Sequence, residues 1–111
     1  MQPTTAVQAL SALAQENRLA VFRLLVQAGP DGLVVGQIAD ALAIPAATLS
    51  FHLKTLSQGG LVSSRHEGRF IRYVADFNAM HGLIDYLSEN CCGSDAAACT
   101  PPTVTRTRKR S

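Results

Sequence analysis

The segment between Pro45 and Gly59-Gly60 constrains this chain more than any other. Within it Leu49, Leu53 and Leu56 recur at i, i+4 and i+7, the spacing of one face of an α-helix. Pro45 suits a first helical turn, where its missing N–H would have no partner in any case, and the glycine pair ends the helix at about Gln58. The opposite side carries Thr48, Ser50, His52 and Thr55, with Ala46 and Ala47 at its start. Leucines anchor such a helix while small groups face outward. Small outward groups let a helix axis come close to base edges in a major groove.

The flanking segments are consistent with that use. Residues 5–15 are rich in alanine and leucine and read as a helix with Val7, Leu10 and Ala14 in an apolar stripe. Residues 16–28 continue as a second helix, with Leu19, Phe22, Leu25 and Val26 on one face. Gly29-Pro30-Asp31-Gly32 is a turn signal. Residues 35–42 make a short helix burying Ile38 and Leu42, and Ala43-Ile44 form a tight connection. Residues 61–66 and 69–75 have strand composition and are joined by Glu67-Gly68, which predicts a hairpin. Residues 77–90 form a last helix with Met80, Leu83, Ile84 and Leu87 on one face. No internal repeat is visible. Helix, sharp connection, helix, hairpin is the order of a winged helix-turn-helix. The expected fold is therefore mainly α with a small β-hairpin, ααααββα. Residues 1–92 are expected to form the DNA-binding and dimerisation domain. Residues 93–111, rich in Gly, Ser, Ala, Pro, Thr and Arg, are expected to be a mostly disordered tail, save where Cys99 is tied down.

Net charge is +2, but Arg106, Arg108, Lys109 and Arg110 supply four of the ten basic residues; the rest has six basic against eight acidic side chains, a net of −2. A nucleic-acid role has to rest on placement. Lys54, Arg65, Arg69 and Arg72 fall within nineteen residues that contain one acid, Glu67. The residues expected to meet DNA are Ala47, Thr48, Ser50, His52 and Lys54 on the helix, and Arg65, Arg69 and Arg72 on the hairpin. The helix supplies sequence preference; the hairpin arginines meet phosphate or minor groove and supply salt-dependent affinity. His52, one before Leu53, fits either DNA contact or packing. Phe51 fits three places: against the hairpin, beside a thymine methyl, or in the core. The plainer reading is a solvated polar face and ordinary surface arginines. The basic end fits a solvated tail better than a DNA arm.

At 111 residues and 47% hydrophobic, one small core is expected, which gains from oligomerisation. Apolar runs are too short to span a bilayer, and the start lacks a signal-peptide layout, so a cytoplasmic location is expected. No catalytic constellation stands out: Asp85 and Glu89 share a helix face without a pocket signal, and neither enzyme activity nor an organic cofactor is expected. The chain's three cysteines, Cys91, Cys92 and Cys99, converge on one segment. In a reducing compartment, an odd number of thiols points to metal binding or redox chemistry rather than a disulfide framework. Three thiolates suit a soft ion. Zinc fits less well, because a closed site wants four ligands. Oxidation of Cys91 or Cys92 onto Cys99 is the alternative without metal.

Several stretches together resemble the ArsR/SmtB family of metal-responsive repressors, over about residues 10–90. They are Asn17-Arg18-Leu19 through Leu24-Leu25, Leu49-Ser50-Phe51-His52-Leu53, Gly60-Leu61-Val62, Arg65-His66-Glu67-Gly68-Arg69 and Tyr73. The resemblance implies a homodimer whose first and last helices pack across a two-fold axis. It also implies repression of an operator in double-stranded DNA and release on metal binding. The founding arsenic repressors carry cysteines in the helix before the recognition helix; Leu33 to Gln37 here has none. The zinc-sensing branch uses a set along the last helix, of which only Asp76 and His81 are present. What remains, Cys91, Cys92 and Cys99, is similar to the arsenite-responsive subgroup with a C-terminal thiol triad. That implies As(III) or Sb(III) as inducer, with another soft metal as the alternative.

Overall fold

The computed structural model describes residues 1–94 and 96–99, apart from the side chains of residues 94, 96 and 99. The expectations about the basic end and the rest of the tail lie outside the described residues. Helix α1 (Pro3–Leu13) is followed by α2 (Glu16–Ala28), a 3₁₀ turn (Gly29–Asp31), strand β1 (Leu33–Val34), α3 (Val35–Leu42) and α4 (Ala46–Gln58). The hairpin β2 (Val62–Glu67) and β3 (Phe70–Ala75) leads into α5 (Phe77–Ser88), a second 3₁₀ turn (Cys91–Ser94) and the four-residue α6 (Ala96–Cys99). This is a mainly helical winged helix-turn-helix with a small antiparallel sheet, as expected, but the sheet has three strands in the order β1-β3-β2.

The core is built where the helical stripes meet. Val21 and Leu25 of α2, Ile38 of α3, Leu49, Leu53 and Leu56 of α4, and Leu61 are fully buried. Each such side chain contributes roughly 1.5–3 kcal/mol by leaving water. In the first helix the apolar stripe read from sequence is not the buried face. Its buried residues are Ala6, Ala9 and Ala12, while Val7 and Leu10 face outward and Ala14 is exposed. Small side chains let α1 sit close to α4: a Cβ added at Gly59 would lie 2.7 Å from the Cβ of Ala12. Leu19 is likewise exposed rather than buried.

Polar contacts fix the helix ends. Gln15 Oε1 accepts from Arg18 N–H at 2.9 Å, capping α2. The Arg18 guanidinium reaches back to α1, donating from Nε to the Ala12 carbonyl at 2.7 Å, where the carbonyls of a helix C-terminus lack partners. Asp76 Oδ1 accepts from Ala79 N–H at 2.9 Å and starts α5; this carboxylate, considered above for a zinc site, is a helix cap. Gly32 has φ +61°, and a Cβ there would run into the Tyr73 carbonyl oxygen. Only glycine lets β1 lie this close to β3, where Leu33 pairs with Tyr73 and Val34 with Arg72.

The turn between α3 and α4 sets the angle of the second helix. Ala43 is left-handed (φ 54°, ψ 42°), Ile44 N–H donates to Ala39 O at 3.2 Å, and the Ile44 side chain is buried. Pro45 is the N-cap, one position before the first helical turn. An alanine in this conformation costs about 1–2 kcal/mol in steric strain, and glycine there loses about 0.5–1 kcal/mol through the freer unfolded chain. Ala43→Gly is therefore expected to stabilise the protein by about 0.5–1 kcal/mol. Equilibrium denaturant unfolding checks this, and a loss of stability would mean the turn relaxes another way.

Candidate nucleic-acid interface and thiol cluster

Helix α4 presents two unlike faces. Leu49, His52, Leu53 and Leu56 are buried; Ala46, Ala47, Thr48, Ser50, Phe51, Lys54, Ser57 and Gln58 are exposed. His52, expected among the outward residues, is 9% exposed. The reason is spacing: it follows Leu49 by three residues and precedes Leu56 by four, which places it within the leucine face. Its Nδ1 is buried and has no hydrogen-bond partner among the described residues. Thr55 is half-buried and its hydroxyl donates to the Phe51 carbonyl at 3.2 Å. At about 100° per residue, the centre of the outward face falls among Ala47, Phe51, Lys54 and Gln58, with Thr48 and Ser50 about 70–90° to its sides. Phe51 is 70% exposed, which removes the core and hairpin-packing alternatives.

The wing is a two-residue hairpin turning on Gly68 (φ +62°) and Arg69. A two-residue turn of this kind demands a left-handed residue at that position. Arg65 stands directly opposite Arg72, a like-charged pair that Glu67 reconciles. Glu67 accepts from Arg72 Nε at 2.9 Å (Oε1) and 3.0 Å (Oε2) and lies 3.8 Å from Arg65 Nε. Arg72 Nη1 also donates to the Asp31 carbonyl at 3.1 Å. Arg72, expected at phosphate, is thus committed to holding the wing against the turn after α2. Arg65 and Arg69 are exposed, and together with Lys54 they form the accessible cationic group of this region.

The last helix leads to the thiols. Asn90, Cys92 and Gly93 have φ of 58°, 54° and 63°, so the chain kinks out of the helical path. Neighbours on a regular helix diverge by about 100°; this kink instead brings Cys91 Sγ and Cys92 Sγ to 3.6 Å, and both residues are exposed. Helix α6, ending at Cys99, lies against this turn. The Cys99 side chain is outside the described residues, and among those described no three His, Cys, Asp or Glu side chains gather as a metal site.

Exposed aliphatic side chains concentrate on the first and last helices: Val7 (61%) and Leu10 on α1, Ile84 and Leu87 (61%) on α5. Each pair is spaced i, i+3, one helical neighbour apart. Ile84 and Leu87 were expected on one face with Met80 and Leu83, of which Leu83 is buried. Hydrophobic spacing alone does not separate a face turned to the core from one turned to a second chain.

Comparison with known proteins places these features. Residues 13–65 match a family model described as a helix-turn-helix domain. The HTH-type transcriptional repressor SmtB of Mycobacterium tuberculosis is 33% identical over 88 residues, covering 78% of this chain and 62% of the repressor. HlyU of Vibrio cholerae has a similar structure, with TM-score 0.65 and 30% identity over 83% of this chain and 99% of HlyU. The homodimeric winged helix-turn-helix DNA-binding domain Mb0332 of Mycobacterium bovis gives TM-score 0.64 and 27% identity over 80% of this chain and 82% of Mb0332. Shorter matches include a putative arsenical resistance operon repressor of Halobacterium salinarum, 36% identical over 60% of this chain and 51% of the repressor. Another is the cadmium resistance regulator CadC of Listeria innocua, 38% identical over 55% of this chain and 50% of CadC. The chain spans 62–66% of the length of the first curated relatives it matches.

The two wing arginines separate in a stability measurement. Arg72→Ala is expected to lower thermal stability by about 1 kcal/mol, or about 4–8 °C, while Arg69→Ala leaves it nearly unchanged. Circular dichroism melts check this; equal melting of the two variants would show that Arg72 secures nothing.

Proposed function

Because the chain belongs to the ArsR/SmtB family of winged helix-turn-helix transcriptional regulators, we propose that it is a homodimeric repressor that releases its operator when arsenite or antimonite binds Cys91, Cys92 and Cys99. The observation that carries this reading is the approach of Cys91 Sγ and Cys92 Sγ to 3.6 Å at an exposed kink directly after α5, in a chain whose only other cysteine is Cys99. Thiolates are the ligands soft ions select. Arsenite carries three hydroxyls. Each thiol that joins it gives its proton to a departing hydroxide, so three As–S bonds form, three As–O bonds break and three waters leave, with no redox change. Cadmium, the ion named for one relative, is the competing soft metal.

DNA is held by α4 and the wing in this reading. Ala47, Thr48, Ser50 and Lys54 approach base edges, and Arg65 and Arg69 approach phosphates. His52 and Arg72 serve from behind, the first within the leucine face and the second as the brace of the wing. Val7, Leu10, Ile84 and Leu87 close the dimer, the arrangement in which two recognition helices reach successive half-sites. The coupling is short. Cys91 lies three residues beyond the end of α5, and Ile84 and Leu87 lie on α5. An ion that gathers the thiols pulls on the helix that joins the two protomers. By linkage, the ion must bind the free dimer more tightly than the operator-bound one by the same factor with which it weakens DNA binding. The 3.6 Å thiol pair also favours a second reading, release through a disulfide formed by a peroxide.

Two measurements test these assignments. Ile84→Asp combined with Leu87→Asp is expected to give a monomer in sedimentation equilibrium; an unchanged dimer would place the interface elsewhere. Cys91→Ser and Cys92→Ser are expected to keep DNA binding and lose arsenite release. Native mass spectrometry of the reduced wild type is expected to show one arsenic per chain with three protons displaced. Full induction of either variant removes the triad, two displaced protons indicate a dithiol site, and release by peroxide but not arsenite establishes the redox reading.

A further inference from the structure

The middle of the outward face of α4 carries a large apolar side chain among groups that can form hydrogen bonds. Its central stripe is Ala47, Phe51, Lys54 and Gln58, at i, i+4, i+7 and i+11, and Phe51 is its largest and most protruding apolar group at 70% exposure. Small residues flank it: Ala47 one turn before, and Ser50 beside it. The ring stands clear of these small neighbours, next to the longer Lys54, and is open to the floor of a groove that the helix enters.

Phe51 is also separate from the apolar surface assigned to the dimer. Helix α1 meets the C-terminal part of α4, where Ala12 abuts Gly59 and Val7 lines a cleft with Thr55 and Gln58, roughly one to two helical turns beyond Phe51. The other exposed phenylalanine, Phe70, lies on the wing beside Arg69 rather than on α4. The exposed cations nearest in sequence are Lys54 and, on the wing, Arg65 and Arg69, a polyanion-facing setting rather than an apolar protein interface.

In the major groove the base edges offer acceptors, amino donors and one apolar group, the 5-methyl of thymine. An uncovered phenyl ring at the centre of a helix seated there has one complementary partner. We propose that Phe51 is a specificity-determining residue that packs on a thymine 5-methyl, so that each operator half-site carries a thymine at one fixed position. This rests on the reading of α4 as the recognition helix.

The test needs no known operator. Reduced wild-type protein and Phe51→Ala are each used to select from a randomised duplex library, and the selected duplexes are resynthesised with uracil replacing thymine position by position. Wild type is expected to enrich one fixed thymine per half-site and to lose about fourfold in affinity for each such thymine changed to uracil, the effect of one buried methyl. Phe51→Ala is expected to keep salt-dependent duplex binding, to select sites without that thymine preference and to be indifferent to uracil. Phe51→Leu, still apolar, is expected to restore methyl sensitivity in part. If wild type binds duplex but is indifferent to uracil, the Phe51 assignment is overturned while the DNA reading stands. If wild type retains no duplex at low salt, the DNA reading falls and this assignment with it. Phe51 is exposed, so its replacement leaves the core intact, and an unchanged melting curve verifies that.

Discussion

The outward surface of this molecule depends on the burial of one side of α4. Leu49, Leu53 and Leu56 are fully buried among Val21 and Leu25 of α2, Ile38 of α3 and Leu61. Three leucines fixed at helical spacing leave the helix no rotational freedom about its axis. The outward stripe of Ala47, Phe51, Lys54 and Gln58 is set by the core, not by anything on the surface. The same burial orients the wing, because Leu61 precedes β2 directly and its carbonyl accepts from Asp76 N–H at 2.8 Å at the start of α5. Recognition helix, wing and last helix are thereby referred to one apolar cluster.

The sequence was most legible where a local signal and the global packing agree. The bounds of α2 and α3 follow from stripes closed by turn chemistry, and the wing from strand composition around a Gly turn. Strand β1 was not legible: two residues have no pattern of their own, and Leu33–Val34 is extended because β3 supplies partners 38 and 40 residues away in the chain. Pairing of that kind belongs to the tertiary fold. Helix α1 misled for another reason. Valine and leucine outrank alanine in hydrophobicity, so the sequence shows the stripe through Val7 and Leu10 and not the alanine face that is buried. The close approach to α4 selects residues by size, and the alanines went inside.

The candidate site divides in the same way. The outward placement of Ala47, Thr48, Ser50 and Lys54 was visible from periodicity. His52 was ambiguous by polarity but not by spacing, since i+3 from one buried leucine and four before another fixes its side of the helix. Arg72 was indistinguishable in sequence from Arg65 and Arg69. Only the register that sets it opposite Arg65, with Glu67 and the Asp31 carbonyl in reach, shows that it braces the wing. The break near Asn90-Cys91 was legible, because adjacent cysteines on a regular helix diverge and Asn90 and Gly93 tolerate a left-handed turn; the positive φ of Cys92 was not.

The meeting of Ala12 with Gly59 has a mechanical consequence. Most helix contacts are cushioned by side chains that change rotamer when their helices shift. Alanine and glycine have no rotamers to change, so where α1 rests on the end of α4 there is no upholstery. A displacement of α1 at that point meets no side chain that could absorb it by changing rotamer. The junction joins the helix that bears the outward aliphatic stripe to α4 with backbone and a single methyl between them.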